Sequence, residues 1–156
     1  MTKPEFLARF GGIYEASPWV AEGIWPRAEA GELDGAGLAG AMRAVVDAAP
    51  REMKLALIRA HPELASRARM ADASVREQSG AGLDQCSPQE FEAFQRLNAA
   101  YNRRFGFPFI VAVKGLGRAE ILAAFEARLG NDPEVEFDAA IAQIHRIAGF
   151  RLEDLG

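Results

Sequence analysis

Apolar residues recur at helical spacing along most of the chain, and this periodicity restricts the possible folds more than any other feature of the sequence. A helix brings residues three or four positions apart to one face, whereas a half-buried strand requires strict alternation. Three clear sets are Leu38, Met42, Val45, Val46 and Ala49, then Ile121, Leu122, Phe125 and Leu129, then Ile141, Ile144, Ile147, Ala148, Leu152 and Leu155. No alternating segment of useful length accompanies them. The 156 residues predict an all-α, single-domain helical bundle of about seven to nine helices spanning residues 1–156.

Prolines and glycines indicate where these helices begin and end. Pro50 closes the first set, and His61-Pro62 ends the helix that follows, because the residue before a proline disfavours helical geometry. Ser87-Pro88 opens a long helix, since serine caps a helix N-terminus and proline fits its first turn. The glycine-rich stretch from Gly31 to Gly40 is expected to form a surface turn.

One stretch, Phe105 to Val111, breaks the helical pattern. It contains the sequence FGFPF, and Pro108 prevents a regular helix. An exposed loop this apolar would be an association hazard, so we expect it to be buried between helices. Buried irregular backbone needs partners for its N–H and C=O groups, and a ligand can supply some of them. The composition leaves two interpretations open, the wall of a ligand site and an extended connection through the core.

A shortage of catalytic side-chain types excludes several kinds of chemistry. One cysteine and two histidines rule out a disulfide framework and a cysteine-rich zinc site, and the histidines lack metal-ligand spacing, so no metal site is predicted. A net charge of −4 gives no footprint for nucleic acid. No apolar run approaches the roughly 18 residues of a membrane span, and the N-terminus lacks a secretory pattern. We therefore expect a cytoplasmic protein without a membrane or nucleic-acid partner.

Polar groups that could carry chemistry lie in two places in the middle of the chain. His61 stands at a helix end and can act as an acid or a base near neutral pH, although an exposed or capping role fits its position as well. Ser74, Glu77 and Gln78 share one helical face, where they could form a polar wall for a small ligand. The same spacing also fits a capping box made by Ser74 and Glu77.

Arg151 falls on the apolar face of the last helix when that helix is projected at about 100° per residue. A buried guanidinium is costly unless it is paired. One interpretation is an inward arginine that binds a substrate carboxylate through two hydrogen bonds. The others are an internal ion pair or a side chain that reaches solvent at the helix end.

Together these pieces resemble the OHCU decarboxylase family (2-oxo-4-hydroxy-4-carboxy-5-ureidoimidazoline decarboxylases). The resemblance extends over nearly the whole chain, in order, and is specific because several short motifs occur at matching separations. The motifs are Ser17-Pro18-Trp19, Leu57 to Leu64, Ser74-x-x-Glu77-Gln78, Leu97-Asn98-x-x-Tyr101, Phe105 to Ile110, Arg128-Leu129 and Ile147-x-x-x-Arg151-Leu152.

The resemblance implies a fold, an activity and a set of site residues. It implies an all-α carboxy-lyase without a cofactor, usually a homodimer, that converts OHCU into (S)-allantoin and CO2 in urate degradation. The family's catalytic positions fall on His61, Glu77 and Arg151. Its substrate-binding positions fall on Pro62, Ser74, Gln78, Phe109 and Ile110.

Two other functions fit the same helices. The chain could be an interaction module that keeps the scaffold without activity, although such a module has no need of His61, Glu77, Gln78 and Arg151 together. It could also be another cofactor-free lyase, or a hydrolase that acts on a ureido compound.

Overall fold

A computed structural model describes residues 1–65 and 72–156, and the helical prediction is confirmed there. The described residues form eight α-helices, a short 3-10 helix (Leu83–Gln85) and no strand. The helices are α1 (Lys3–Phe10), α2 (Trp19–Glu29), α3 (Gly35–Ala48), α4 (Arg51–Ala60), α5 (Asp72–Gly80), α6 (Pro88–Phe105), α7 (Arg118–Leu129) and α8 (Pro133–Leu155). No described helix combines the length and the apolar character that crossing a bilayer requires.

Most helix boundaries follow the sequence signals, with one correction. At α6 the Ser87 hydroxyl accepts from the N–H of Glu90, whose carboxylate accepts from Ser87 N–H, so the predicted start is confirmed. The surface turn expected from Gly31 to Gly40 is wrong over its second half, where α3 already begins. Asp34 caps this helix by accepting from the N–H of Gly37 at 2.7 Å, which offsets the low helix propensity of glycine.

The chain divides into two compact units, and the first comprises residues 1–60 and 145–156. Its core contains apolar residues from α2, α3 and α4 that are almost fully buried, including Ile24, Met42, Val46 and Ile58. The rings of Phe6 and Trp25 pack with centroids 5.2 Å apart, so α1 is anchored to α2. Both tryptophans of the chain, Trp19 and Trp25, belong to this unit.

The second unit comprises residues 61–144, with an aromatic core around Tyr101. Tyr101 is fully buried, and its ring contacts Phe105, Phe107, Phe109 and Phe125. Helix α8 contributes its N-terminal part to this unit and its C-terminal part to the first. The expectation of one domain over residues 1–156 stays a prediction.

Candidate functional site

His61 opens a short irregular segment, residues 61–65, here named the His61 segment. The imidazole lies directly after α4 and is 7% exposed, so this histidine is neither a surface group nor part of the helix. The amide of Gln78 binds the segment's backbone at two points. Its Oε1 accepts from Ala65 N–H at 3.0 Å, and its Nε2 donates to the carbonyl of Glu63 at 3.3 Å. Helix α5 therefore fixes the chain immediately after His61.

Amide side chains of α6 hold the same segment. Asn98 donates to the carbonyl of Leu64 at 2.9 Å, and Gln95 donates to the carbonyl of Ala65 at 3.1 Å. Ala65 has φ of +52°, a left-handed conformation that costs a non-glycine residue energy. These bonds satisfy backbone carbonyls that have no hydrogen-bond partner within a helix. They also hold the backbone in a conformation that would otherwise be disfavoured.

The polar face of α5 is present, but the capping-box interpretation of Ser74 is wrong. Ser74 is the third residue of the described helix and so cannot be its N-cap. Ser74 and Gln78 are 4% and 7% exposed, and Glu77 is half-buried, which confirms that the three residues share an inward-facing side. A hydroxyl, a carboxylate and an amide are therefore presented together in the second unit.

The apolar stretch after α6 contributes a second irregular segment, residues 107–111, here named the Phe109 segment. Phe107, Pro108, Phe109 and Ile110 are all buried, as expected for this part of the FGFPF sequence. Phe105, by contrast, is half-buried as the last residue of α6, and Gly106 is exposed. The phenyl ring of Phe109 stacks on Phe125 with centroids 4.0 Å apart. The segment follows Gly106, whose φ of +76° ends α6 in the left-handed region that suits glycine.

One turn of α6 brings the two segments together. Asn98 donates to the His61 segment, and Asn102 donates to the Glu63 carboxylate at 2.9 Å. Tyr101, between them on the helix, packs its ring 5.4 Å from that of Phe109. Residues 98–102 therefore contact both segments, at Glu63 and Leu64 in the first and at Phe109 in the second.

The backbone N–H groups of Phe109 and Ile110 make no hydrogen bond to any residue that the structure describes. These residues are only 1% and 3% exposed, so water outside the protein does not serve the two donors. Buried N–H groups without a partner are rare in folded proteins. Two adjacent ones can bind the acceptor oxygen of a ligand, as the composition of this stretch allows.

Arg151 lies in the first unit and is buried, which confirms its placement on the inner face of α8. Its Nη2 donates to the Glu15 carboxylate at 2.9 Å, and Nη1 donates weakly to the carbonyls of Gly12 and Ile13 at 3.4 Å. The internal ion pair, one of the alternatives that the sequence left open, is therefore formed. Leu155, expected on the same buried arc, is 39% exposed because α8 ends there.

The other histidine, His145, belongs to a hydrogen-bonded chain within the first unit. Tyr14 Oη lies 2.7 Å from His145 Nδ1, and His145 Nε2 lies 2.9 Å from the Asp47 carboxylate. Burial lowers the pKa of His145 and outweighs the opposing influence of Asp47. No group of three or more possible metal ligands occurs among the residues described.

Comparison with known proteins assigns the family. The model of the OHCU decarboxylase family matches residues 1–153. This chain belongs to the OHCU decarboxylase family. The 2-oxo-4-hydroxy-4-carboxy-5-ureidoimidazoline decarboxylase of Haloferax volcanii is 45% identical over 149 residues, which cover 96% of this chain and 88% of the relative.

Solved structures support the OHCU decarboxylase fold. A crystal structure of (S)-allantoin synthase is similar with a TM-score of 0.81 and 35% identity, over 99% of this chain but 51% of the other. A crystal structure of OHCU decarboxylase in the presence of (S)-allantoin has a TM-score of 0.75 over 93% of this chain and 95% of the other. At 24% identity the second match supports the fold alone.

Sequence reasoning missed the residues that hold the His61 segment, the Phe109 segment and Arg151 in place. Sequence reasoning uses Asn98 only within the Leu97-Asn98-x-x-Tyr101 motif, although an amide within an apolar stripe is a visible signal of a buried hydrogen bond. Glu15 and Gln95 carried no such signal, because their partners are distant in sequence. The functional roles predicted for His61, Pro62, Ser74, Glu77, Gln78, Phe109, Ile110 and Arg151 stay predictions.

Proposed function

We propose that this protein converts 2-oxo-4-hydroxy-4-carboxy-5-ureidoimidazoline (OHCU) into (S)-allantoin and CO2 without a cofactor. The family match over residues 1–153 supports the reaction type. The observation that carries the proposal is the pair of buried backbone N–H groups at Phe109 and Ile110. The Phe109 segment and the His61 segment both contact the same turn of α6. A small, oxygen-rich ureido compound offers the acceptors that these donors lack.

The substrate supplies its own electron sink. One ring carbon of OHCU bears a hydroxyl and the carboxylate, and the neighbouring carbon, which bears the ureido group, belongs to a C=N bond. When the bond to the carboxylate breaks, CO2 leaves and the electron pair forms a C=C bond to the ureido-bearing carbon. The π pair of the C=N group moves onto its nitrogen, which takes up a proton. The hydroxyl then loses its proton to become a carbonyl, and the ureido-bearing carbon gains a proton. The enzyme has to orient the substrate, move these protons and select the face that is protonated.

The catalytic side chains receive proton-transfer roles in this proposal. His61 would act at the hydroxyl and the carboxylate-bearing carbon, because imidazole is the side chain most often used as a general acid or base and this one is buried in the second unit. Glu77, half-buried on the inner face of α5, would bind the ureido or ring N–H groups or deliver the second proton. Pro62, next to His61, would shape the wall of the same site.

The binding side chains recognise the amide edges and the negative charge of the substrate. Ser74 and Gln78 would bind the remaining amide edges, and the bonds from Gln78 to residues 63 and 65 support a further role in positioning His61. Arg151 would bind the carboxylate or a ring carbonyl. Its ion pair with Glu15 supports a fixed orientation, since a guanidinium has five N–H donors and can serve both partners.

The stereochemistry of the product tests this proposal. Urate and the upstream enzymes supply OHCU, which decays without a catalyst to racemic allantoin, and circular dichroism then follows the product. We expect the wild-type protein to accelerate decarboxylation and to yield the (S) enantiomer. A racemic product formed at the uncatalysed rate would refute the activity. Parallel trials with allantoin and ureidoglycolate would reveal a hydrolase instead.

Two histidine variants test the role of His61. We expect His61→Ala to lower kcat by about 10²–10⁴-fold, the usual contribution of a positioned acid or base, with a smaller effect on KM. His145→Ala is the matched control, because it removes the only other histidine of the chain, which lies in the first unit. Normal turnover and normal (S) product from His61→Ala would contradict the assignment.

We also propose a cytoplasmic homodimer, on the strength of the family resemblance. In light scattering the species in solution should then have twice the 16.9 kDa mass of one chain. A single-chain mass at micromolar concentration would contradict the dimer without affecting the proposed reaction.

A further inference from the structure

Arg128, on α7, contacts the Phe109 segment in two ways. Its Nη1 donates a short hydrogen bond to the carbonyl of Ile110, and its guanidinium carbon lies 4.5 Å from the ring centroid of Phe109. Phe125, three residues earlier on the same helix, stacks on that ring at 4.0 Å. Helix α7 therefore holds both the backbone and the side chain of residues 109 and 110.

No other described group makes a hydrogen bond to this segment. Gly106 N–H donates to Asn102 before the segment, and Ala112 N–H donates to the Gln143 side chain after it. Between residues 107 and 111, the bond from Arg128 is the only hydrogen bond formed by residues that the structure describes. The Ile110 carbonyl shares a rigid peptide plane with the Val111 N–H, and only the φ and ψ of Ile110 separate this carbonyl from the Ile110 N–H. Fixing the carbonyl therefore restrains the direction of the nearby N–H groups.

Arg128 is itself held by a buried carboxylate. Its Nε donates to Glu136 Oε1 at 2.7 Å, and Glu136 is 0% exposed. Tyr101 Oη donates to the same oxygen at 2.5 Å, and Asn131 Nδ2 donates to the other at 3.1 Å. Three donors on one buried carboxylate leave the guanidinium little freedom, because its planar fork is oriented by two fixed acceptors, Glu136 and Ile110.

We propose that Arg128 is a positioning residue for the decarboxylation and that it aims the N–H groups of Phe109 and Ile110 at the substrate. The proposal rests on the proposed function, which places these two residues against OHCU. Glu136 acts one step further away, by setting the orientation of Arg128. Arg128 itself makes no contact with the substrate in this account, since Nε and Nη1 donate to Glu136 and Ile110 and Nη2 lies 2.7 Å from Glu136 Oε1.

Arg128→Lys is the informative variant. A lysine keeps the positive charge beside Glu136 but lacks the planar guanidinium. It therefore cannot donate to Glu136 and Ile110 at once while lying over the Phe109 ring. Misplacing binding groups by about 1 Å can cost about 10²-fold in rate, so we expect kcat/KM for OHCU to fall by about 10–100-fold. The backbone amide resonances of Phe109 and Ile110 should also move in ¹H–¹⁵N spectra.

Two controls separate positioning from general stability. Arg118→Lys alters the same kind of arginine on the same helix, because Arg118 Nε donates to Glu90 and Nη1 donates to the carbonyl of Gly82, away from the segment. Asn131→Ala removes a bond to Glu136 and lowers stability, but it leaves the bond from Arg128 to Ile110 in place. We expect both controls to stay within about threefold of wild-type kcat/KM, a small part of the effect of a misplaced binding group.

The outcomes distinguish this inference from the proposed function. If folded Arg128→Lys matched Asn131→Ala in kcat, KM and the two amide resonances, Arg128 would have no positioning role. If the wild-type protein failed to accelerate decarboxylation, the proposed function would be wrong. The amide resonances would then still show whether Arg128 sets the backbone conformation of the Phe109 segment.

Discussion

The His61 segment is held by neutral amides, whereas the Phe109 segment is held by a buried ion pair. Gln78, Gln95 and Asn98 each form separate hydrogen bonds with residues 63–65. At the Phe109 segment, one arginine carries the hydrogen bond, and one carboxylate orients that arginine. Separate neutral bonds can be lost one at a time, but a shared buried charge cannot be removed without leaving its partner uncompensated. The two segments should therefore respond very differently to single substitutions.

The largest expected effect is at Glu136. Glu136→Leu removes a fully buried carboxylate that accepts from Tyr101, Arg128 and Asn131, and it leaves the guanidinium unpaired. We expect the free energy of unfolding to fall by about 3–5 kcal/mol, measured by urea denaturation. Asp138→Leu, at an exposed position on the same helix, is the control and should change it by less than about 0.5 kcal/mol. Equal effects of the two changes would remove the distinction between the segments.

A smaller effect is expected at Asn98. Asn98→Leu leaves the Leu64 carbonyl without its donor, but it also removes an amide oxygen that is buried without a hydrogen bond to any described residue. We expect a loss of about 1–2 kcal/mol in the free energy of unfolding. Gln95→Leu removes the neighbouring bond from an exposed position and should cost less than about 0.5 kcal/mol. If Asn98→Leu lowered the free energy of unfolding as much as Glu136→Leu, the neutral amide hydrogen bonds would not act separately.

The smallest expected effect concerns His145, a hydrogen-bonding group whose charge depends on pH. The neutral imidazole of His145 links Tyr14 to Asp47, with Arg43 and Lys54 nearby, and burial lowers its pKa below the ordinary 6.5. As the pH falls through about 6.5, the unfolded chain therefore binds a proton before the folded chain does, so stability decreases with decreasing pH. Urea denaturation at several values between about pH 8 and about pH 5 should show this decrease.

His145→Gln isolates the contribution of this histidine, because glutamine can donate to Asp47 but does not titrate. Its stability should decline less steeply than that of the wild-type protein over the same pH range. Parallel curves for the two proteins would show that other groups cause the decrease.

Periodicity and punctuation predicted the fold because both are local properties of the chain. The apolar spacing in α7 and α8 and the serine–proline pair at the start of α6 act through bonds and contacts between residues a few positions apart. The error over Gly31 to Gly40 arose where composition and capping disagreed, since six of these ten residues are glycine or alanine but Asp34 caps a helix there. Local capping outweighed the low intrinsic propensity of glycine.

The inward orientation of several predicted site residues could be read from the sequence, but the residues that support them could not. The inward faces of Ser74, Gln78 and Arg151 follow from helical spacing. Gln78 and Arg151 bind partners that lie 13 or more positions away, Ala65 and Glu15. Such pairings are set by tertiary packing. A single sequence does not reveal them when no periodic pattern marks the two partners. The same holds for Arg128, whose partner at Ile110 is 18 positions away.

The uneven distribution of aromatic residues gives the chain a built-in optical reporter. Trp19 and Trp25 both belong to the first unit, and the second unit contains no tryptophan. Fluorescence excited at the red edge of protein absorption therefore reports on the first unit alone, whereas far-ultraviolet circular dichroism reports on the helices of both. Coincident unfolding curves from the two signals would identify one cooperative domain, and separated curves would identify two. No label or added chromophore is needed for this measurement.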